Sequence, residues 1–305
     1  MTPIIHVQQL TKSYGDVRAV QGIDFDVQPG EIFAMLGPNG AGKSTTVEIL
    51  EGLRPRDGGD VQVLGIDPGR AANQLKSRIG VVLQQTAFPN KIRVVEAIEL
   101  YGRLYNSQPN TKELLERFAI SDKSGAFYSD LSGGQKQKLA LILAMINDPP
   151  IVFLDEPTTG VDAHSRRAIH DWLRQLRAEG RTVFLTTHYI HEAEQLADRV
   201  AIVAQGKIVR QGTLDEIRSG IVLESEIRVR ASRPLDREAI LRLPGVESAA
   251  VENGTALMRV LNSAQAITHL VRYLDSEDME LIDVAVSHPT LEDVFLTVTG
   301  HSIRD

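Results

Sequence analysis

The segment from residue 37 to residue 44 carries the most specific chemical signal in the chain. Its sequence, Gly37-Pro38-Asn39-Gly40-Ala41-Gly42-Lys43-Ser44, fits the phosphate-binding pattern G-x-x-x-x-G-K-[ST] at every fixed position. Glycines let the backbone curl so that N–H groups point at phosphate oxygens, and a following helix adds its own free N–H groups. In this pattern Lys43 reaches the β- and γ-phosphates of a nucleotide, and the Ser44 hydroxyl binds Mg²⁺. The segment therefore predicts a nucleoside triphosphate site; a plain glycine-rich turn is the weaker alternative.

Two adjacent acids, Asp155 and Glu156, follow the apolar run of residues 151–154. An acid at the end of a buried strand can hold Mg²⁺ directly or through water. A second acid beside it can orient or deprotonate an attacking water molecule. We predict the metal role for Asp155 and the base role for Glu156. The competing interpretation, two solvated acids at a strand end, is weakened by the phosphate-binding loop upstream.

A second glycine-rich segment, Leu131-Ser132-Gly133-Gly134-Gln135, precedes a helix predicted over residues 135–146. Serine and two glycines at a helix start make another cradle of backbone N–H groups. One nucleotide does not need two such cradles from one chain. We therefore interpret this segment as covering the γ-phosphate of a nucleotide bound by a second copy. A simple loop before a buried helix is the alternative, since the pentapeptide alone is only moderately specific.

Four short apolar runs must position these groups. The runs 32–36, 79–83, 151–154 and 182–187 lead to the phosphate-binding loop, Gln84, the two acids and His188. Apolar runs without alternation imply strands buried on both faces, as in a largely parallel α/β sheet. Such sheets bind ligands beyond the carboxyl ends of their strands. Gln84 and His188 are therefore predicted to join the site.

Taken together, these motifs closely resemble the ATP-binding subunits of ABC transporters, over about residues 4–219. The resemblance implies a P-loop ABC ATPase domain with a mixed sheet core and a helical subdomain, which uses ATP and Mg²⁺. Residues 37–44 with Thr45 match Walker A, residues 131–135 match the family signature, and Asp155 and Glu156 match Walker B and the catalytic glutamate. Tyr14 matches the aromatic residue that stacks on adenine.

The same resemblance assigns three further positions. Gln84 matches the Q-loop glutamine, which contacts Mg²⁺ or its water, although the adjacent Gln85 leaves the register open by one residue. Asp162 matches the loop that reaches across the dimer, and His188 matches the switch histidine at the γ-phosphate. By this resemblance, two copies would sandwich two Mg·ATP and drive a separate integral membrane permease. The protein would then be cytoplasmic and peripheral on the inner face of the cell membrane.

The C-terminal part differs in pattern, and we predict domains at residues 1–220 and 221–305. Strands are predicted at 226–231, 246–252, 255–261 and 279–286, with a turn at Asn253-Gly254. A helix is predicted at 236–243, and a second helix has one face lined by Ile267, Leu270, Val271 and Leu274. Thr290 begins the last helix, and Asp293 three residues later indicates a start that resembles a capping box. The order βαββαβ indicates a small α+β ferredoxin-like domain. Leu291, Val294, Phe295 and Val298 share one face of the last helix. Residues 289–296 resemble the tail of ATPases paired with drug or polysaccharide exporters, so export is the predicted direction.

Composition limits the other possibilities. The chain of 305 residues has a net charge of −7, which disfavours a general nucleic-acid binder, and no cysteine, which excludes disulfides, thiolate catalysis and cysteine-based zinc sites. Its longest apolar run, residues 139–146, is far shorter than the ~20 residues of a membrane span, and we expect no signal peptide. A soluble ABC-type ATPase acting on nucleic acid or the ribosome stays the alternative function. An importer subunit and a non-catalytic binding module are further alternatives, the last disfavoured by Glu156 and His188.

Overall fold

A computed structural model of the protein describes residues 2–84, 88–219, 224–252, 254–287 and 289–299. The chain divides into two compact units, and the division falls between Leu214 and Asp215. Each unit buries its own cluster of apolar side chains. The predicted boundary between residues 220 and 221 lies outside the described residues, and so does Gln85.

The first unit begins with an antiparallel sheet. Its strands are β1 (Ile5–Tyr14), β2 (Val17–Val27) and β4 (Gly58–Val63), in the order β2-β1-β4. Tyr14 is the last residue of β1 and pairs with Val17 across a tight turn. The turn therefore leaves the Tyr14 ring at the end of this sheet.

A second, six-stranded sheet forms the centre of the first unit. Its strands are β3 (Ile32–Leu36), β5 (Ile79–Val82), β6 (Ile151–Asp155), β7 (Thr182–Thr187), β8 (Arg199–Ala204) and β9 (Lys207–Gly212), in the order β5-β6-β7-β3-β8-β9. All neighbours are parallel except β8 and β9. Every residue of β3, β6 and β7 is buried. This arrangement confirms the predicted largely parallel sheet, since strands without alternation need cover on both faces.

Helices connect the strands of the first unit, and those from residue 94 to residue 144 lie between β5 and β6. The helices are α1 (Lys43–Leu50), α2 (Ala72–Lys76), α3 (Val94–Leu104), α4 (Thr111–Arg117), α5 (Gly133–Ala144), α6 (Ala163–Ala178) and α7 (Ile190–Leu196), and α8 (Leu214–Ser219) begins at the division. Helix α5 begins two residues earlier than predicted and ends two residues earlier. The earlier start follows from a capping box in which Ser132 Oγ accepts from the Gln135 N–H and the Gln135 side chain accepts from the Ser132 N–H. No helix in the described ranges is both long and apolar enough to cross a membrane.

The second unit has the predicted βαββαβ order. It contains β10 (Ser225–Ala231), α9 (Arg237–Leu241), β11 (Val246–Glu252), β12 (Thr255–Val260), α10 (Ser263–Ser276) and β13 (Leu281–Ser287), followed by α11 (Leu291–Thr299). The strands pair antiparallel in the order β11-β12-β10-β13. This order confirms the ferredoxin-like prediction.

Two details of the second unit bear on the predicted helix faces. Of the residues predicted to line one face of α10, Leu270 and Leu274 are buried, whereas Val271 is 38% exposed. Successive residues lie about 100° apart around a helix, so Val271 falls on the flank of the buried stripe. At the start of α11, Thr290 and Asp293 exchange hydrogen bonds as predicted. The hairpin residue Asn253 and the Val298 side chain lie outside the described part.

Candidate functional site

The phosphate-binding loop connects β3 to α1. Its first residue, Gly37, donates its N–H to the carbonyl oxygen of Thr187 at 3.2 Å, which joins the loop to the end of β7. Gly42 has a φ of +103°, and a Cβ at this position would lie 2.3 Å from the carbonyl oxygen of Ala19. Only glycine fits such a backbone and such a close approach. The local sequence therefore folds into the curled loop that a phosphate cradle requires.

A cavity of about 380 Å³ opens over this loop. The residues that line it are Tyr14, Ala19, Asn39, Gly40, Gly42, Lys43, Ser44, Thr45, Gln84 and Glu156. All of them except Ala19 are predicted site residues. The volume lies within the range of about 300–1,000 Å³ that is usual for small-molecule sites. Ala19 was missed because nothing in its sequence neighbourhood marks it.

Lys43 lies buried at the base of the cavity. Its ammonium donates to the carbonyl oxygens of Gly37 at 2.8 Å and Pro38 at 3.1 Å. It also lies 3.5 Å from Glu156 Oε1. Burial lowers the pKa of Lys43, and the carboxylates of Glu156 and Asp155 offset part of that effect. The cation is thus held by the loop itself, within reach of anything that the loop binds.

Glu156 has an unusual backbone and a crowded carboxylate. Its φ of +51° lies in the left-handed region, which is uncommon for residues other than glycine. Oε2 accepts hydrogen bonds from Thr159 Oγ1 at 3.1 Å and from Gln84 Nε2 at 3.2 Å. His188 Nδ1 lies 3.2 Å from Oε1. The structure therefore brings Gln84, Glu156 and His188 together, from the ends of three different strands.

The charge state of Glu156 follows from these neighbours. Burial raises the pKa of Glu156, but the His188 imidazole, the Lys43 ammonium and the Thr159 hydroxyl together lower it further than burial raises it. The net pKa lies below the ordinary glutamate value. Glu156 is therefore a carboxylate near neutral pH, which is the form that can accept a proton.

Asp155 is buried at the end of β6, beside the Walker A serine. Its Oδ1 accepts hydrogen bonds from Ser44 Oγ at 3.2 Å and from Thr186 Oγ1. Hydroxyl and carboxylate oxygens are ligands that Mg²⁺ prefers, and Mg²⁺ commonly takes only one or two protein ligands beside a substrate's phosphates. The pair of Ser44 and Asp155 fits that requirement.

The structure does not bring Ser132, Gly133, Gly134, Gln135 and Asp162 into this cavity. These residues lie together elsewhere on the same chain, where a Cβ on Gly134 would be 3.4 Å from Asp162 Oδ2. Within the chain they begin helices. The Ser132 and Gln135 side chains close the capping box of α5, and the Asp162 carboxylate accepts from the N–H groups of His164 and Ser165, both at 3.0 Å, to cap α6. Their predicted contacts with nucleotide stay a prediction.

The Tyr14 ring is 40% exposed at the rim of the cavity. Two cations approach it, Arg54 at 5.3 Å and Lys12 at 5.5 Å from the ring centre. Each cation is anchored by an acid, Arg54 by Glu48 and Lys12 by Asp57. The ring is therefore held in place while part of its surface stays open, as a stacking platform for a base requires. Neither cation was predicted. Arg54 lies near Tyr14 only in the folded chain, whereas Lys12 is two residues before Tyr14 in β1, where the alternation of side chains along a strand was a usable signal.

Two threonines beside the acids were not predicted either. Thr159 donates to the Glu156 carboxylate, and Thr186 contacts both acids. A usable signal was present for Thr186, since two polar residues, Thr186 and Thr187, follow the apolar residues 183–185 directly before His188. Thr159 carried no such signal, because it lies in a polar turn.

Comparison with known proteins agrees with this geometry. Residues 20–159 match the family described as ABC transporter, and residues 212–299 match the C-terminal domain of DrrA1-3-like ATP-binding proteins. The chain is 37% identical over 314 residues to the daunorubicin resistance ATP-binding protein DrrA3 of Streptomyces coeruleorubidus, covering 98% of this chain and 97% of the relative. It is 35% identical to the Nod factor export ATP-binding protein I of Rhizobium meliloti (strain 1021), covering 100% and 90%.

Solved structures share the fold of the first unit. An ATP-binding subunit of an ABC transporter is 26% identical with a TM-score of 0.66, covering 71% of this chain and 92% of that chain. A dimeric ATP-binding cassette in a post-hydrolysis state, bound to ADP and Pi, is 27% identical with a TM-score of 0.63, covering 69% and 98%. The chain belongs to the ABC transporter family as one of its ATP-binding proteins, and it is an ATPase.

Proposed function

We propose that this ATPase acts as a pair of identical chains and energises export through a separate integral membrane permease. The observation that carries the pairing is the separation of two groups on one chain. Walker A residues and Glu156 line the cavity, while Ser132 and its neighbours lie with Asp162 elsewhere and do not line it. A second chain placed head to tail would supply the missing cover. The dimeric relative bound to ADP and Pi supports this arrangement.

Within each site, different residues of the chain would bind the nucleotide, hold Mg²⁺ and accept a proton. Tyr14 stacks on the adenine, and the loop N–H groups with Lys43 bind the β- and γ-phosphates of ATP. Glu156 accepts the proton of the attacking water, with Gln84, Thr159 and His188 holding its carboxylate. Ser44 and Asp155 would hold Mg²⁺, which neutralises charge on the phosphates, and Gln84 would contact that ion or its water. Catalysis is then chiefly positioning and electrostatic stabilisation.

Removal of the γ-phosphate would open the pair. The ligand that bridges Walker A of one chain and Ser132 to Gln135 of the other is lost on hydrolysis. The closed dimer is then no longer stabilised relative to the open form, so the two chains separate. A permease bound to the pair would convert this cycle into movement of a substrate.

Export is proposed because the similarity runs through both units. The relatives named for resistance and for Nod factor export match this chain over nearly its whole length, including the C-terminal unit. We assign the C-terminal unit an accessory role, since the residues that line the cavity belong to the first unit. By the same similarity, we place the protein in the cytoplasm, peripheral on the inner face of the membrane.

The pairing is tested by cross-linking. Because the chain has no cysteine, the double variant Asn39→Cys, Ser132→Cys carries only the two introduced thiols. Oxidation with Mg·ATP in a Glu156→Gln background should give a covalent dimer, and ADP should not. Each single variant is the matched control and should stay monomeric on a denaturing gel. A yield of dimer that does not depend on the nucleotide would contradict the proposed sandwich.

The permease is tested by co-purification. Tagged Glu156→Gln, solubilised from native membranes with Mg·ATP, should carry a stoichiometric multi-span membrane protein. Transport by the reconstituted pair from the ATP-containing side would then establish direction. A soluble dimer without a membrane protein, or one that carries ribosomes or nucleic acid, would leave the ATPase activity assigned but would refute the transport role.

A further inference from the structure

We propose that Thr186 is a positioning residue that orients Asp155 and Glu156 through one shared hydroxyl group. This inference rests on the roles proposed for the two acids. The residue lies in β7, directly opposite Asp155 in the register of β6 and β7. Its side chain is fully buried.

The hydroxyl makes two bonds whose directions are both determined. Thr186 Oγ1 donates to Asp155 Oδ1 and accepts from the Glu156 N–H at 3.1 Å. A threonine hydroxyl has one hydrogen to donate and lone pairs to accept, an ionised carboxylate only accepts, and an amide N–H only donates. One group therefore connects the side chain of the first acid to the backbone of the second.

Each hydrogen bond restrains one of the two acids. The Glu156 N–H also donates to the carbonyl oxygen of Thr186 at 3.2 Å, so Thr186 holds that peptide group through both its side chain and its backbone. Glu156, whose peptide group is held in this way, has a φ of +51°, which few residues adopt. Its carboxylate contacts Lys43, Gln84 and His188. Such conformations persist only where the surroundings enforce them.

The bond to Asp155 acts on the predicted magnesium ligand. Asp155 Oδ1 is shared between Ser44 Oγ and Thr186 Oγ1, so the Thr186 hydroxyl restrains the carboxylate that faces Walker A. Groups that hydrogen-bond to a metal ligand orient it, and their loss typically costs about 10-fold or more in metal affinity or activity.

The simpler alternative is that Thr186 is only a satisfied buried threonine. The same strand supplies a control for that interpretation. Thr182 is also buried in β7, and its Oγ1 accepts a backbone N–H from Gly30 at 2.9 Å. The two threonines thus match in strand, burial and backbone hydrogen bond, but only Thr186 contacts the acids.

The test compares Thr186→Val, Thr186→Ser and Thr182→Val with the unmodified chain. Valine keeps the β-branched shape and removes the hydroxyl, whereas serine keeps the hydroxyl. We expect Thr186→Val to lower kcat by about 10-fold or more. Thr186→Ser should recover most of the lost kcat. Thr182→Val should lower the melting temperature to a similar extent and keep kcat.

A binding measurement gives a readout that is independent of turnover. The affinity for ADP is measured by titration calorimetry with Mg²⁺ and again with EDTA. In Thr186→Val the gain in affinity that Mg²⁺ supplies should fall by about 10-fold, and the affinity in EDTA should stay within about twofold. Thr182→Val should keep the full gain.

Two results would overturn the proposal. The first is a Thr186→Val protein with unchanged kcat and an unchanged gain from Mg²⁺. The second is an equal loss of kcat in Thr186→Val and Thr182→Val, which would make the effect merely structural. Glu156→Gln, assayed in the same series, distinguishes a failure of the role proposed for Glu156 from a failure of the role proposed for Thr186. If Glu156→Gln keeps full turnover, the proposed role of Glu156 fails; if it loses turnover while Thr186→Val does not, only the role of Thr186 fails.

Discussion

The Lys43 ammonium and the Glu156 carboxylate lie 3.5 Å apart at the base of the cavity, and both side chains are buried. The group predicted to bind phosphate and the group predicted to accept the proton of water therefore neutralise each other. A nucleotide phosphate that reaches Lys43 must compete with Glu156 for the same cation.

Glu156→Gln should bind ADP more tightly than the unmodified chain. The amide keeps the shape of the carboxylate but removes the charge that pairs with Lys43 and repels incoming phosphate. We expect a gain of about fivefold in affinity, equivalent to roughly 1 kcal/mol. Titration calorimetry with ADP isolates this effect because ADP is not hydrolysed. A lower affinity for ADP in the variant would mean that the ion pair does not compete with nucleotide.

Lys43→Ala should weaken nucleotide binding itself. The variant removes the only ammonium among the residues that line the cavity and leaves the buried Glu156 carboxylate without its cation. Affinity for ATP should fall about 30-fold or more, equivalent to roughly 2 kcal/mol. Lys112→Ala is the matched control, because that lysine is 85% exposed on α4. Equal ATP affinity in Lys43→Ala and Lys112→Ala would count against the predicted role of Lys43.

Gly42→Ala should abolish the phosphate cradle. Its added Cβ would lie 2.3 Å from the carbonyl oxygen of Ala19, in a backbone with φ of +103°. We expect a loss of stability of more than about 1 kcal/mol and no measurable binding of ATP. Gly65→Ala is the control, since its φ is +70° but nothing lies within 4 Å of the added Cβ. The control should lose some stability and keep ATP binding; comparable binding in both variants would refute the steric argument.

Asp67→Asn should destabilise the first unit in a way that depends on pH. The Asp67 carboxylate accepts two hydrogen bonds from Arg56, at 2.8 and 2.9 Å, which lower the pKa of Asp67. A lowered pKa in the folded state gives stability that is present above the unfolded pKa of about 3.9 and is lost as pH falls through the folded pKa. The variant should therefore be less stable by about 1 kcal/mol at pH 7.

The difference between the Asp67→Asn variant and the unmodified chain should shrink as the pH falls below about 4. Denaturant titrations at several pH values measure it. Asp122→Asn serves as the control, because the Asp122 side chain is 71% exposed and its ion pair with Lys123 should contribute little. A difference that stays constant between neutral and acid pH would show that the charge of Asp67 is not its cause.

Leu270→Ala should destabilise the second unit, and Val271→Ala should not. Leu270 is fully buried in the apolar cluster of that unit, whereas its neighbour is 38% exposed. We expect a loss of about 3 kcal/mol for the first variant and less than about 1 kcal/mol for the second. Chemical denaturation followed by circular dichroism measures both. Equal losses would contradict the observed orientation of α10.

Much of the site is predictable because its chemistry is local or follows from sheet topology. The phosphate-binding loop is one contiguous segment, and its glycines specify the curl. Gln84, Glu156 and His188 can be grouped from the sequence because each follows an apolar run, and the carboxyl ends of parallel strands meet at one edge. The βαββαβ order of the second unit follows in the same way from alternation and turn residues. The domain boundary near residue 220 stays a prediction.

The amino-acid sequence by itself determined the fold class, the ATPase family and the identity of most residues around the cavity. Periodicity, turn residues and contiguous motifs act over short stretches of chain, so each can be recognised from neighbouring residues alone. Only the tertiary structure decided how those residues pair: that Lys43 meets Glu156, that Arg54 approaches Tyr14, that Asp162 caps α6, and that one Thr186 hydroxyl joins two acids. Hydrogen bonds and ion pairs depend on distances of a few ångströms, and packing sets those distances between segments far apart in the sequence.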